Sequence, residues 1–348
     1  MKDIRILMLH TKTTSIDTML DYLHLTELKK DFNFIWDNEN PDYLISTEHI
    51  YFHKLYQKKY YELGLKTPIN ILFAVELYPP DMSLFDYATT FYSRVNCDDR
   101  CKYLLSPDKF YSGFVRTIVN DIINVDDAAK LLHEKVLFCN FLYSNSQAHP
   151  NRDKMFYKLS DYKQVDSIGR WLNNVGSHPQ GWAGHQDECI QLKSPYKFSI
   201  AFENATCPGY SSEKILTSLN AHTIPIYWGD PDIENYINPE CFVNCNKYKT
   251  LDEAIEEVKK IDSDDDLWCK MISQPWQTPE QIALTKKRND DYVEFWRNIF
   301  SQNIEDAKRV PVGYHPNLYF NFITSAKPIF YNSFFNKCSN KLSKIFSK

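Results

Sequence analysis

The feature that most constrains this chain lies at residues 198–230, FSIAFENATCPGYSSEKILTSLNAHTIPIYWGD, where two compact apolar runs flank a short polar loop and a helical stretch. Residues 198–202 and 224–228 have the length and apolar density of buried strands, and Pro225 suits a strand start or an edge position. Between them Ile215, Leu216 and Leu219 share one helical face, preceded by Gly209, Ser211 and Ser212 with turn and cap chemistry. Glu213 and Lys214 therefore sit in the first helical turn, where free backbone N–H groups and the positive end of the dipole favour an anion. Lys214 adds a full charge able to reach a diphosphate, and Glu213 can accept hydrogen bonds from sugar hydroxyls. An ordinary βαβ crossover with a surface Glu-Lys pair has the same spacing.

The rest of the chain repeats this alternation. Residues 4–9, 32–36, 43–46 and 69–75 read as one series of strands, and residues 136–143, 198–202, 224–228 and 242–244 as a second. Leu251, Ile255, Val258 and Ile261 then form a helical stripe. The reading is an α/β chain of two Rossmann-like domains, residues 1–132 and 133–305, and a distinct tail at 306–348. Ligand is expected between the domains, at the carboxyl ends of the strands. At 348 residues, 43% of them apolar, the chain has material for two cores. A net charge of −5 argues against a nucleic-acid partner, and no Rossmann glycine fingerprint points to NAD or FAD.

FENATCPGYSSEKI followed by HTIPIYWGDP resembles the donor-binding motif of the α-1,3/1,4-fucosyltransferases, glycosyltransferase family 10, especially the bacterial members. The resemblance implies a GDP-fucose donor, inversion at the sugar carbon and a GT-B fold. Residues 68–92, PINILFAVELYPPDMSLFDYATTFY, resemble the family's N-terminal motif, and Glu76 holds the place of the catalytic base. A carboxylate there can take the acceptor's proton, although an isolated Glu at a strand end is more often a surface residue. Residues 143–157 resemble the segment that supplies a phosphate-gripping Arg, matched by Arg152. By the same correspondence Asn204 and Tyr210 would lie against the nucleotide sugar, and residues 165–173, with Gly169 at a turn, would shape the cleft. The resemblance covers residues 65–250. It departs at Thr206, Cys207 and Pro208, where relatives read Gln-Gly-Tyr, and in the longer segment 174–192, a candidate acceptor-side or lid loop.

Two acidic groups could be read as metal ligands. Asp230 and Asp232 formally make a DxD, and residues 264–266 are all Asp. Both are expected to be structural, since the resemblance implies a fold that neutralises its leaving diphosphate with basic side chains and needs neither metal nor other cofactor. Nine scattered cysteines suggest buried thiols in a reducing compartment; the two CxxxC pairs, Cys97/Cys101 and Cys241/Cys245, are looser than zinc knuckles usually are.

The N-terminus carries no signal-peptide pattern and no apolar run reaches 18 residues. Animal and plant relatives carry a Golgi anchor, so a cytoplasmic bacterial or viral enzyme is expected. Residues 307–348 hold seven Lys or Arg and no acid. On a helix Lys337, Lys341, Lys344 and Lys348 would share one face beside Phe334, Phe335, Leu342, Ile345 and Phe346. Peripheral attachment of residues 327–348 to an anionic inner leaflet, near lipid-linked or lipopolysaccharide acceptors, is one expectation, and packing back onto the N-terminal domain is the other.

The expected activity is inverting transfer of L-fucose from GDP-fucose to a GlcNAc or glucose hydroxyl of an oligosaccharide. Transfer of another GDP-sugar on the same fold and a non-catalytic, membrane-associated glycan-binding role remain open beside it.

Overall fold

The computed structural model describes residues 1–10, 13–51, 54–64, 68–91, 98–104, 123–176, 186–311, 313 and 318–319. Six strands, β1 (Lys2–Leu9), β2 (Phe32–Trp36), β3 (Tyr43–Thr47), β4 (Ile69–Phe73), β5 (Tyr87–Thr90) and β6 (Cys101–Tyr103), form a parallel sheet in the order β2-β1-β3-β4-β5-β6. Period-2 alternation divides its side chains between two cores. Ile4, Ile6, Ile45, Ile71 and Phe73 face helix α1 (Ile16–Tyr22). Leu7, Leu9, Leu44 and Leu72 pack with Tyr60 and Leu63 of α2 (Lys54–Gly64).

After α3 (Val125–Glu134) the second sheet begins. Its strands are β7 (Leu137–Phe141), β8 (Val165–Ser167), β9 (Tyr196–Phe202), β10 (Ile224–Trp228) and β11 (Val243–Asn244), again all parallel, in the order β11-β10-β9-β7-β8. Helices α4 (Asn151–Ser160), α5 (Gln186–Lys193), α6 (Glu213–Asn220), α7 (Leu251–Ser263) and α8 (Asp265–Ile272) follow in sequence. Phe198, Ile200, Ile224 and Ile226 pack with Met155 and Leu159 of α4, Ile255 and Val258 of α7 and Trp268 of α8. Ala201 and Tyr227, on the other face, meet Ile215, Leu216 and Leu219 of α6. Pro225 is tolerated because β11 pairs only with Ile226 and Tyr227, leaving the residue before them without a neighbour on that side.

The two sheets share one topology. In each, the second strand lies outside the first and the remaining strands extend from the first strand's other side. The direction of winding thus reverses between β1 and β3 and again between β7 and β9, and the carboxyl ends at those switch points are where α/β folds bind ligand.

The chain then returns to its start. Helix α9 (Pro279–Ser301) opens with a capping box between Thr278 and Gln281. Its second half, with Tyr292, Phe295, Trp296, Ile299 and Phe300, is buried in the first sheet's core, as is Ala307 of α10 (Ile304–Ala307). The Tyr292 hydroxyl donates to the Leu23 carbonyl (2.9 Å) and Arg288 Nε to the Leu104 carbonyl (2.8 Å).

One sequence expectation needs correction. Cys101 is disulfide-bonded, so the cysteines are not all thiols. Cys139, Cys241, Cys245 and Cys269 are buried and free, and burial pushes the thiols of Cys241 and Cys245 up, as in small apolar residues. Asp264 caps α8 by accepting the Leu267 N–H (2.9 Å). The basic tail at 327–348 lies outside the described residues, as do Cys97 and residues 177–185 of the candidate lid. Among the described residues no helix is long and apolar enough to cross a membrane.

Candidate active site

The site is assembled from the loops that follow β4, β7, β9 and β10. Strand β9 delivers Glu203, 0% exposed, directly to the start of α6. Its carboxylate accepts the Ser212 N–H at Oε1 (2.8 Å) and the Ser212 hydroxyl at Oε2 (2.6 Å). Lys214 stands 3.1 Å from Glu203 Oε2 and 3.6 Å from Glu213 Oε1, and donates to Ser212 Oγ (2.7 Å). Ser212 precedes α6 but makes no side-chain cap bond, because its hydroxyl serves this cluster. The expected anion at the helix start is thus partly supplied by the protein itself, through Glu203.

Burial alone would lower the Lys214 pKa, but Glu203 and Glu213 hold its ammonium well above the ordinary range. Burial raises Glu203, with Lys214 opposing it, whereas Glu213 overcomes its own burial through Lys214 and falls below the usual carboxylate range. Behind the cluster Lys193 of α5, held by Thr217 Oγ1 (2.7 Å) and Ser218 Oγ (3.1 Å), is lowered to about 8 by burial. The end of the 174–192 segment is therefore anchored on α6.

Arg152, 1% exposed, enters from α4. Its Nη1 donates to Asn204 Oδ1 (3.2 Å), its Nη2 to the Asn145 carbonyl, and its guanidinium lies 4.4 Å from the centroid of the Tyr143 ring. Nε is buried without a hydrogen-bond partner, 3.7 Å from Asp153 Oδ1. Tyr143 is the common wall: its hydroxyl bonds the backbone of Ile200 and Phe202, and its titration feels both Arg152 and Lys214. Gly169 is required by close approach, since a Cβ there would lie 2.1 Å from the Tyr143 carbonyl oxygen.

The two halves meet at Tyr210. Its hydroxyl donates to Glu76 Oε2 (3.0 Å), and its ring, 3% exposed, packs edge-on against Phe91 at 5.2 Å. Residues 206–210 are held by the formal DxD. Asp230 Oδ1 accepts the N–H groups of Gly209 and Asp232, both at 2.8 Å, and Thr206 Oγ1 donates to the Gly229 carbonyl (2.6 Å). Gly209 has φ +91°, and a Cβ there would lie 2.3 Å from the Tyr103 hydroxyl of the first sheet. Arg288 packs against Tyr103 and Tyr236, at 4.5 and 5.1 Å from their ring centroids, joining both halves.

The structure thus brings Arg152 to Asn204, Lys214 to Glu213 and Glu76 to Tyr210. Sequence reasoning missed Glu203, although a carboxylate directly after a mostly apolar strand is a signal of a buried, paired charge. It also missed Arg288, which no local pattern separates from a surface residue of α9.

Residues 132–310 match glycosyltransferase family 10 (fucosyltransferase), C-terminal part. The chain is similar to the α-(1,3)-fucosyltransferase FucT of Helicobacter pylori, 34% identical over 135 residues, which are 39% of this chain and 27% of that protein. It is similar to the α-(1,4)-fucosyltransferase of Arabidopsis thaliana, 29% identical over 135 residues, which are 35% of this chain and 34% of that one. The matched segments therefore span about a third or less of these relatives. A crystal structure of an α1,3-fucosyltransferase superposes with a TM-score of 0.65 at 22% identity, covering 89% of this chain and 93% of that one. Another, with GDP-fucose, gives a TM-score of 0.62 at 22% identity over 87% of this chain and 92% of its own. The architecture is the GT-B fold of two parallel-sheet units.

Proposed function

The chain belongs to glycosyltransferase family 10, the fucosyltransferases, and from that premise we propose that it transfers L-fucose from GDP-fucose to a glycan hydroxyl, in α-1,3 linkage. The observation that carries the reading is the 3.0 Å bond between Tyr210 and Glu76, because it joins a carboxylate of the first sheet to the loop preceding Glu213 and Lys214. A base and a cationic leaving-group site belong on opposite faces of the reacting carbon in an inverting transfer, and two sheets meeting at their carboxyl ends suit that requirement.

In the proposed step Glu76 takes the proton of the acceptor hydroxyl as its oxygen attacks the anomeric carbon. The bond from that carbon to the β-phosphate oxygen breaks, and its electron pair leaves with GDP. Lys214 and Arg152 stabilise the charge gathering on the diphosphate, and a buried, pre-placed cation is effective there because little reorganisation accompanies the reaction. Asn204, Tyr210 and Glu213 orient ribose and fucose. The scheme uses side-chain cations for the leaving group and calls on no metal.

Glu76→Gln tests it. Transfer is expected to fall by about 100-fold or more with GDP affinity retained, and near-normal transfer would remove Glu76 from the role of base. The departure at Thr206–Pro208 favours a donor panel of GDP- and UDP-sugars with type 1 and type 2 acceptors, products read by mass and linkage by NMR. A better donor than GDP-fucose would redirect the reading to another GDP-sugar.

A further inference from the structure

Glu48 is a buried carboxyl that the mechanism above does not use. It is the first residue after β3, at the end of the strand beside the first sheet's switch point, and it is 3% exposed. Strand β3 pairs with β4 up to Thr47 opposite Phe73, so the backbone ladder ends just before Glu76. Glu48 extends that ladder with its side chain: Oε2 accepts the Val75 N–H at 3.1 Å. The Tyr78 N–H donates to the Glu76 carbonyl (2.7 Å), so Glu76 is held between a turn on one side and Glu48 on the other.

No cation compensates this carboxyl among the described residues. The ionisable groups that interact with it are Tyr22 of α1, Tyr51 of its own turn and Glu76. His10 stacks on Tyr22 at 4.5 Å and lies 6.2 Å from His49, whose Nδ1 is 2.9 Å from Thr47 Oγ1. Burial, and less strongly the charge of Glu76, push Glu48 up to about 7, with the Val75 bond opposing.

We propose that Glu48 is a positioning residue for Glu76: its carboxyl fixes the segment after β4 through the Val75 N–H and so holds Glu76 where it takes the acceptor's proton. The inference rests on Glu76 being the base.

Two variants test this. Glu48→Gln keeps an acceptor for the Val75 N–H, and its kcat at pH 8 is expected to stay within about twofold of the wild type. Glu48→Ala loses the acceptor, and its kcat is expected to fall about tenfold at pH 8 with KM for GDP-fucose unchanged. A Glu48→Ala kcat equal to the wild type, or an equal fall in Glu48→Gln, overturns the proposal, because the conservative variant then rescues nothing. If Glu48→Ala does not fold, Glu48→Asp, whose shorter side chain draws the acceptor away from Val75, takes its place with the same expected fall. Glu76→Gln is measured alongside: normal transfer in that variant refutes the base itself, whereas lost transfer there with a Glu48→Ala kcat like the wild type refutes only the role of Glu48.

Discussion

Lys214→Ala should damage the fold as much as it damages donor binding, and the structure gives the size of the effect. The ammonium lies 3.1 and 3.6 Å from the carboxylates of Glu203 and Glu213. At an effective dielectric of about 20, the nearer pair alone attracts by about 5 kcal/mol. Removing the cation strands Glu203, 0% exposed, with only Ser212 among the described residues to hydrogen-bond it. Breaking a buried pair from one side typically costs about 3–5 kcal/mol, a large share of a protein's stability.

The pH dependence identifies the cause. Burial already raises Glu203, and without Lys214 it rises further, so folding of the variant favours the protonated form. The variant therefore loses stability as pH rises from the unfolded-state value towards its folded-state one, and the deficit is smaller at pH 5 than at pH 8. Urea melts of wild type, Lys214→Ala and the double variant Lys214→Met/Glu203→Gln at both pH values check this. The double variant should recover most of the loss, since neither charge then remains buried alone. A deficit below about 1 kcal/mol at pH 8, or one equal at both pH values, would refute the reasoning. The double variant also gives the cleaner test of phosphate binding, for GDP should bind it at least about tenfold more weakly although its fold is intact.

Three further outcomes are expected. Tyr210→Phe removes the bond to Glu76 while keeping the ring against Phe91; steady-state kinetics should show kcat down about five- to tenfold with little change in thermal stability. Gly209→Ala forces a Cβ to within 2.3 Å of the Tyr103 hydroxyl at φ +91°, and chemical melts should show a loss of about 1–3 kcal/mol together with weaker transfer. Glu48, raised to about 7, contributes stability that is complete below its unfolded-state value near 4.5 and is lost as pH rises through 7, about 3 kcal/mol in all; the Tm of Glu48→Gln relative to wild type should therefore climb between pH 4 and pH 8.

What the sequence disclosed followed from local pattern. The strand at 224–228 was legible to the residue because buried parallel strands are nearly continuous apolar runs, the half-exposed edge strand at 32–36 was legible from its aromatic and β-branched residues, and the face of α6 was legible from Ile215, Leu216 and Leu219. Short pieces such as β6 and β8, three residues each, carry too little pattern to stand out. The return of α9 was hidden for a different reason: periodicity marks which face of a helix is buried but not which sheet covers it, and Tyr292 and Trp296 pack in a core begun nearly 300 residues earlier. Among site residues, the resemblance led to Arg152, Asn204, Tyr210, Glu213 and Lys214 but passed over Glu203, which lies inside the same motif, and gave Asp230 no task. Both act on backbone N–H groups of the 206–212 loop, a partnership visible only once the chain is folded.

The shared topology of the sheets turns these omissions into one argument. Glu48 directly follows β3 and Glu203 directly follows β9, and each of those strands is third in its sheet, beside the switch point. Each carboxyl is buried and each accepts a backbone N–H from the segment that carries reactive groups, Val75 before Glu76 in one case and Ser212 before Glu213 in the other. They differ in charge compensation. Glu203 has Lys214 at 3.1 Å, while Glu48 has another carboxylate as its neighbour and no cation among the described residues. A lysine held by two carboxylates puts a fixed positive charge at the start of α6, the kind of charge that stabilises a departing diphosphate, whereas the carboxyl after β3 serves as a backbone anchor. Under the proposed function, equivalent places in the two sheets thus serve opposite ends of one transfer: the second sheet holds the cation for the leaving anion, and the first anchors the segment that carries the proposed base.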